Sequence, residues 1–411
     1  MSLAGRRLVI AMCIGQIGNL LPHVAVQAIM AKHLMPLWNL SAGQAGLMAS
    51  AYAFGYMIAV PVLATLSDRI DARRILSAGT LVSMAATLAF PLVARDLTTA
   101  SVMWGLAGLG FAGAYMPGLK ALTDRLDPGD ASRSVTLYTS SFSMGVALSF
   151  LLAQLVADRF GWRAAFLVTG LGPLAMLAAA ALMAPVAPPP SQGVLSNLGS
   201  VFRNRAALGY IFGYGAHCFE LYGMRTWIVA FWTFVAASRG GAMPAGPITI
   251  SVVFTLLSMP ASILGNEAAL RIGRHRAITF VQILSGVIGV GIGLLAGASP
   301  WLLLVLILLY AVTIPADSGA LTAGMTQSAT PGAKGATMAL HSTVGFGFSA
   351  LGGWGFGLAL DAAGGPTSSR AWLAGFSLLS LAIVLGPIAL WWSRSGASDT
   401  LVIGRERDLG A

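Results

Sequence analysis

Residues 210–227 read YIFGYGAHCFELYGMRTW, an apolar stretch that carries a histidine, a glutamate and an arginine. An apolar run of this kind is typical of a helix that crosses a membrane. Ionisable groups in hydrocarbon cost a few kcal/mol or more unless they face a bundle interior or a wet cavity. His217, Glu220 and Arg225 therefore predict a substrate or ion pathway inside a membrane protein.

The composition of the whole chain agrees with a membrane location. The 411 residues are 56% hydrophobic and 9% charged, whereas roughly 25% of the residues in a soluble domain are charged. Twelve apolar runs are long enough to span a bilayer, and we place them at about 8–30, 44–66, 75–94, 97–122, 134–157, 164–183, 207–236, 247–268, 277–297, 301–323, 336–360 and 371–392. The sequence predicts an all-α membrane protein with 12 transmembrane helices.

The distribution of positive charge predicts the orientation. Of the 24 Lys and Arg residues, 17 fall in the termini and the even-numbered loops, 6 on the other side, and Arg225 inside the seventh span. Because positive charge is retained on the cytoplasmic side, we expect both termini in the cytoplasm of a cell with a bacterial-type inner membrane. The net charge of +10 follows from this bias and does not indicate nucleic-acid binding.

Residues 184–206 interrupt the apolar pattern with prolines at 185, 188, 189 and 190. Apolar residues then recur at helical spacing before Arg203 and Arg205, which is typical of a short interfacial helix. We therefore divide the chain into an N-terminal six-helix bundle (1–183), a cytoplasmic linker (184–206), a C-terminal six-helix bundle (207–394) and a cytoplasmic tail (395–411).

The two bundles share a weak internal repeat. The tetrapeptide DPGD at 127–130 matches TPGA at 330–333, and Asp158 matches Asp361, both at an offset of 203 residues. A repeat of six spans gives both copies the same topology. This pattern predicts two bundles related by a pseudo-two-fold axis along the membrane normal.

Residues 64–74 read ATLSDRIDARR and resemble the loop signature of the major facilitator superfamily between helices two and three. Together with the twelve-span layout, the resemblance covers nearly the whole chain. Residues 112–125 (AGAYMPGLKALTDR), 316–324 (ADSGALTAG) and 210–227 are similar to the cyanate and nitroimidazole-type transporter subgroup. The resemblance implies a central cavity lined by helices one, four, seven and ten.

The loop signature also implies a cytoplasmic gate, for which we select Asp68, Arg69, Arg73 and Arg125. In the predicted topology Asp68 ends span two, close to the beginning of span eleven and to Arg125 at the end of span four. A carboxylate there can meet both a helix N-terminus and a guanidinium, and so latch the gate. The alternative is that these arginines only enforce topology.

On helix seven, Tyr214, His217 and Arg225 share one face, and Glu220 lies about 60° beyond His217. On helix one, Gln16, Asn19, His23 and Gln27 also share a face, and we expect Asn19 and His23 to confront helix seven across the cavity. The alternative for His217 and Glu220, at i and i+3, is that they pair with a neighbouring helix as packing contacts.

Four further positions complete the predicted pathway. Asp317 in span ten is either a protonatable site or a carboxylate bonded at a helix terminus, and His341 in span eleven is either a pathway or a packing residue. Tyr115 in span four belongs to the predicted cavity, and Lys120 either joins it or extends to the cytoplasm.

An enzyme has little support in this sequence. Gly108, Gly110 and Gly113 satisfy GxGxxG, but they lie inside an apolar span and predict helix packing, not dinucleotide binding. Cys13 and Cys218 also lie inside predicted spans and suggest neither a metal site nor a disulfide framework. No cofactor is expected.

We therefore expect a monomeric secondary active transporter that moves a small solute by alternating access. Arg225 is the predicted anchor for an anionic group, and His217, Glu220 or Asp317 could exchange the protons that drive transport. Drug or metabolite efflux is the first alternative, although the fifth span lacks the Gly-Pro-rich signature of drug:proton antiporters. A non-transporting membrane sensor is the second.

Overall fold

The structure is a computed structural model that describes residues 3–67, 69–187, 198–239 and 243–394. Within these ranges the chain forms helices and no strands. We call residues 3–187 the N-terminal segment and residues 198–394 the C-terminal segment.

The N-terminal segment contains α1 (Leu3–Asn19), α2 (Ala25–Ile29), a π-helical turn (Met30–Leu34), α3 (Met35–Trp38), α4 (Ala42–Ser67), α5 (Ala72–Val93), α6 (Leu97–Thr123), α7 (Pro128–Phe160), α8 (Trp162–Gly170) and α9 (Leu174–Ala181). The C-terminal segment contains α10 (Leu198–Arg203), α11 (Arg205–Arg239), α12 (Pro247–Ile272), α13 (Arg274–Leu294), α14 (Pro300–Thr313), a 3₁₀ turn (Ile314–Asp317), α15 (Ser318–Ser328), α16 (Lys334–Ala362) and α17 (Ser369–Ile383). The interfacial helix predicted in the linker corresponds to α10, and residues 188–197 before it lie outside the described ranges.

Ten helical stretches in the described residues are long and apolar enough to cross a membrane, counting α8 with α9 and α14 with α15 as single spans. The remaining two predicted spans correspond to the broken helix α1–α2 and to the 35-residue α11. The count of twelve spans and the two-fold relation between the bundles stay predictions.

Small residues bring α6 against its neighbours. A Cβ at Gly108 would overlap the Tyr52 carbonyl of α4, and one at Gly110 would overlap the backbone of α5 at Ser83. The GxGxxG run is therefore a helix-packing surface, as the sequence predicts.

Several spans are interrupted, among them α8–α9, and two of the breaks lie at predicted pathway residues. Between α1 and α2, residues 20–24 form a turn that contains Pro22, and between α14 and α15 the 3₁₀ turn contains Pro315 and Asp317. Proline removes a backbone donor and its ring obstructs the preceding turn, so Pro22 and Pro315 weaken the helix at these two breaks. They place His23 and Asp317 where irregular backbone is buried in protein.

The two segments meet along α4 and α16, which run antiparallel. At one end Asp361 of α16 contacts the first turn of α4 directly. At the other end a cavity of about 420 Å³, lined by Ser67, Lys120 and Lys334, separates the helices. The segments are thus closed at the Asp361 end and apart at the Lys334 end.

Candidate functional site

A cavity of about 320 Å³ lies between the two segments, and we call it the central cavity. Its N-terminal wall comes from α6 and α7 and combines aromatic rings with hydroxyls, among them Tyr115, Thr139, Ser140, Phe142 and Ser143. Its C-terminal wall comes chiefly from α11 and α12 and includes Tyr214, His217, Tyr222, Arg225, Ser258 and Ser262. Most of the lining surface is apolar, and the polar groups stand singly on it.

Arg225 supplies the guanidinium of this cavity. Its residue surface is 5% exposed, and the guanidinium carbon lies 4.9 Å from the centroid of the Tyr222 ring. Its Nε has no hydrogen-bond partner, and no carboxylate in the described ranges forms an ion pair with it. A buried guanidinium without a counter-ion is costly, so the arrangement favours an anionic ligand.

His217 joins the cavity to a buried carboxylate. Its Nδ1 lies 2.7 Å from Oδ1 of Asp317, and the two side chains are 2% and 1% exposed. Gln282 of α13 donates to Oδ2 of the same carboxylate at 2.7 Å. Only His217 of the three lines the central cavity, so Asp317 is reached from the cavity through the imidazole.

Glu220 faces away from the central cavity. Ser285 of α13 and Tyr310 of α14 each donate a hydroxyl to its carboxylate at 2.9 Å, and the residue is fully buried. The sequence places Glu220 on the predicted pathway, whereas its contacts here are the interhelical packing contacts that we gave as the alternative. Its two oxygens are satisfied inside the C-terminal segment.

The polar face of helix one reaches the cavity region at His23. The imidazole is enclosed by the rings of Tyr52, Phe111 and Phe142 at centroid distances of 5.0, 5.2 and 5.4 Å, and by that of Tyr222 at 6.5 Å. Predicted helices one and seven therefore approach each other at His23 and Tyr222.

Asn19 ends α1 just before the break and lies outside the lining of the central cavity. It is fully buried, and neither atom of its amide has a hydrogen-bond partner. Gln16, one turn earlier, accepts a hydrogen bond from the Tyr138 hydroxyl at 2.9 Å. Neither Asn19 nor His23, which the sequence groups together, is part of the lining of the central cavity.

The remaining predicted pathway residues divide between cavity and packing positions. Tyr115 and Tyr214 line the central cavity. His341 stacks on Tyr214 with centroids 3.9 Å apart and lies behind it, outside the cavity lining. Lys120 lines the larger cavity at the Lys334 end and pairs with Asp124 at 3.2 Å.

Arg73 and Arg125 of the predicted gate lie in a cluster around Asp71, which is not among the predicted gate residues. Asp71 caps α5, and both of its carboxylate oxygens lie 2.9 Å from Nη2 of Arg125. Arg73 donates to the Met183 carbonyl at 2.7 Å, and Arg69 is exposed. This cluster joins α5, α6 and the chain after α9, all within the N-terminal segment, so it is not itself a latch between segments.

Asp68, the predicted centre of the latch, lies outside the described residues. Its contacts with α16 and Arg125 stay a prediction. For Asp71, burial opposes ionisation, but the Arg125 side chain and the backbone N–H groups of Val186 and Arg73 hold the pKa of the carboxyl below its usual value.

At the closed end, two carboxylates at repeat-related positions have different partners. Asp361 accepts hydrogen bonds from the Ser41 hydroxyl at 2.6 Å and from the N–H groups of Ala42 and Gly43 at 2.9 and 2.7 Å, all at the beginning of α4. Asp158 contacts Lys32 at 2.7 Å within its own segment. A carboxylate at a helix N-terminus is favourable, so Asp361 ties the two segments together.

Sequence reasoning missed Gln282, Ser285 and Tyr310, which hold the two buried carboxylates. A signal was present, because Gln282 and Ser285 are polar residues at i and i+3 in an otherwise apolar span. Polar side chains inside a membrane span usually have a polar partner on another helix.

Comparison with known proteins identifies the type of chain. A family model described as the Major Facilitator Superfamily matches residues 8–353. The gallate transporter of Pseudomonas putida is 30% identical over 159 residues, which are 38% of this chain and 34% of that protein. The gentisate transporter of Corynebacterium glutamicum is 27% identical over 154 residues, which are 36% of this chain and 33% of that one.

The match thus spans about a third of the length of these two transporters. Among solved structures, a bacterial homolog of the human lysosomal transporter spinster, in an inward-facing and unoccupied conformation, superposes with a TM-score of 0.72. That protein is 15% identical, and the match covers 96% of each chain. At this identity the likeness describes the fold. None of the three comparisons supports the cyanate and nitroimidazole-type subgroup that the sequence resembles.

Proposed function

The chain belongs to the major facilitator superfamily, and on this premise we propose that it is a secondary active transporter that moves a small organic anion by alternating access. The observation that carries the proposal is Arg225, a buried guanidinium on the wall of the central cavity with no carboxylate partner in the described ranges. A planar guanidinium can bind a carboxylate in two-point contact.

The side chains on the cavity walls favour binding of an organic anion over binding of an inorganic anion. Tyr115, Phe142, Tyr222 and Phe346 present aromatic rings around Arg225, and rings of this kind stack well on planar apolar groups. Two relatives are named as gallate and gentisate transporters. Gallate and gentisate are hydroxylated benzoates, which combine a carboxylate with a ring. An aromatic or similarly compact carboxylate is therefore our first substrate class.

We further propose that the His217–Asp317 pair couples transport to protons. The pair has one member on the cavity wall and the other buried behind it. A substrate carboxylate at Arg225 changes the charge facing His217, so binding and proton uptake at the pair are linked. Glu220 has no such access, because its oxygens are held by Ser285 and Tyr310.

The two ends of α4 and α16 support alternating access. In our proposal the two segments are the two six-helix bundles, closed at the Asp361 end and open at the Lys334 end. By the distribution of positive charge, the Lys334 end is cytoplasmic, with both termini on the same side of the inner membrane. The described conformation would then face inward.

The test is uptake into liposomes that contain the purified protein. Radiolabelled benzoate and benzamide form a matched pair, because they share the ring and differ in charge. We expect benzoate uptake that rises with an imposed pH gradient, no benzamide uptake, and loss of benzoate uptake in Arg225→Ala. Equal transport of the acid and the amide would contradict the proposal.

A further inference from the structure

A second, much smaller cavity adjoins the central cavity. It has a volume of about 10 Å³, and Tyr222, Phe346 and Ser349 line both cavities. The other side of the small cavity is formed by His23, Gln27, Ser50 and Thr226, among others. It lies next to the anion anchor, since the Arg225 guanidinium stacks on the shared Tyr222 ring.

Four buried side chains on this small cavity have polar atoms without a protein partner. They are Nδ1 of His23, Oε1 of Gln27, Oγ of Ser50 and the hydroxyl of Tyr52, in residues that are 2%, 8%, 4% and 3% exposed. The amide nitrogen of Gln27 is used, donating to the Ala49 carbonyl at 3.3 Å, so its oxygen remains to face the cavity. Each buried polar group without a partner is costly, and four at one place favour a ligand.

The size and chemistry of the cavity restrict that ligand. A volume of about 10 Å³ accommodates one oxygen-sized group. The Ser50 hydroxyl can donate and accept, the Gln27 oxygen only accepts, and the imidazole nitrogen does either. A hydroxyl, which also donates and accepts, satisfies this set. A carboxylate would oppose the Gln27 oxygen, and the nearby guanidinium disfavours a cation.

We propose that this cavity is a hydroxyl subsite, and that the substrates of the protein are hydroxylated organic acids whose carboxylate binds Arg225. The inference rests on the proposed function, because it requires an acid in the central cavity. The same chemistry would suit a bound water, and the two sources predict different specificity. A substrate hydroxyl makes the transporter prefer hydroxylated acids, whereas a resident water does not.

The experiment compares the affinities of benzoate and of its 2-, 3- and 4-hydroxy derivatives for the purified protein, with 3-methoxybenzoate as the derivative too large for the subsite. We expect one hydroxybenzoate to bind at least about tenfold better than benzoate, a factor equal to roughly 1.4 kcal/mol. The methoxy compound should show no gain. Ser50→Ala and His23→Phe should each reduce the ratio of hydroxybenzoate affinity to benzoate affinity to below about threefold.

Ser380→Ala is the matched control. Ser380 is also a buried serine whose hydroxyl has no partner, but it lies on α17 and lines neither cavity. We expect the wild-type ratio in this variant. Equal binding of benzoate and all three hydroxybenzoates by the wild-type protein would overturn the inference and leave the proposed function intact. A preference for one hydroxybenzoate that survives in both Ser50→Ala and His23→Phe would do the same. If no acid binds at all, the proposed function fails and the subsite falls with it.

Discussion

The two walls of the central cavity differ in kind. The wall from the N-terminal segment offers hydroxyls and rings, as at Ser140 and Phe142, and no charged side chain. The wall from the C-terminal segment carries Arg225 and His217, with Asp317 behind the histidine. In the proposed mechanism, the charged groups that bind substrate and exchange protons therefore lie in the C-terminal segment, and the neutral wall can move past them at little electrostatic cost.

This difference contrasts with the internal repeat. At the 203-residue offset, the positions equivalent to His217, Glu220 and Arg225 hold Ile14, Ile17 and Pro22. At these three positions the ionisable groups therefore occur only in the C-terminal copy of the predicted repeat. The following predictions test whether the chemistry resides in the C-terminal wall as this comparison suggests.

The largest effect is expected at Asp317. Asp317→Asn keeps the shape of the side chain but cannot exchange a proton, so pH-driven accumulation of substrate should be lost while solute exchange persists. Glu220→Gln should still accumulate substrate, because Glu220 contacts Ser285 and Tyr310 and not the cavity. Uptake in liposomes with and without a pH gradient measures both. The opposite pattern would assign coupling to Glu220.

A second prediction compares the anchor with the neutral wall. Arg225→Lys loses the two-point geometry, and a charge-assisted hydrogen bond is worth about 1.5–3 kcal/mol. Affinity for an anionic substrate should fall at least about tenfold. Ser140→Ala on the opposite wall removes one neutral hydroxyl and should cost no more than about threefold. Equilibrium binding of benzoate measures the affinity of both variants. Similar losses of affinity would mean that the two walls do not differ in their contribution to binding.

A double-mutant cycle tests the competing structural role of Arg225. If the guanidinium served to neutralise Glu220, replacing both residues by alanine would be milder than either change alone. Because Glu220 is already bonded by two hydroxyls, we expect no rescue of binding. A double variant that transports like wild type would refute the anchor.

A third prediction concerns the Asp71 cluster of the N-terminal segment and its repeat-related position, Arg274. Asp71→Asn breaks the contact with Arg125 and should destabilise the protein by about 1–3 kcal/mol at pH 7. Arg274 is half-buried and donates to the neutral Gln327, so Arg274→Gln should cost no more than about 1 kcal/mol. Denaturation of the two purified variants and the wild type at neutral pH measures these changes in the free energy of unfolding.

The pH dependence of the Asp71 effect has a definite sign. The pKa of the Asp71 carboxyl is lowered in the folded protein, so its contribution is present above the unfolded pKa of about 3.9. It is lost as the pH falls through the folded value. The stability difference between wild type and Asp71→Asn should therefore shrink steadily below about pH 4. A difference that is constant from pH 7 to pH 3 would exclude the charge as its cause.

The smallest effect is expected from replacing Asp361 at the closed end of the two segments. Asp361→Asn weakens the bonds to the first turn of α4 by about 1 kcal/mol, since the site is partly exposed. Hydrogen–deuterium exchange of residues 41–46 should then rise about fivefold. Asp158→Asn, which alters a contact inside one segment, should leave that exchange unchanged. Equal effects would mean that neither carboxylate ties the segments together.

The sequence by itself determined the membrane class and ten of the predicted spans within the described residues, and it selected the candidate functional residues. Composition and run length decide whether a chain enters a bilayer, because backbone groups in hydrocarbon must be satisfied within helices. Polar residues in apolar spans are costly wherever they occur, so His217, Arg225 and Asp317 could be selected without a structure.

Only the tertiary structure decided which of these residues act together. Helical periodicity gives the face of a residue on its own helix, but not which neighbouring helix that face meets. Glu220 and His217 are three residues apart on α11. Glu220 accepts hydrogen bonds from Ser285 and Tyr310, whereas His217 lies 2.7 Å from Asp317 and lines the central cavity. Asp71 likewise reads as a turn residue in the sequence and becomes the partner of Arg125 only because α5 and α6 pack side by side.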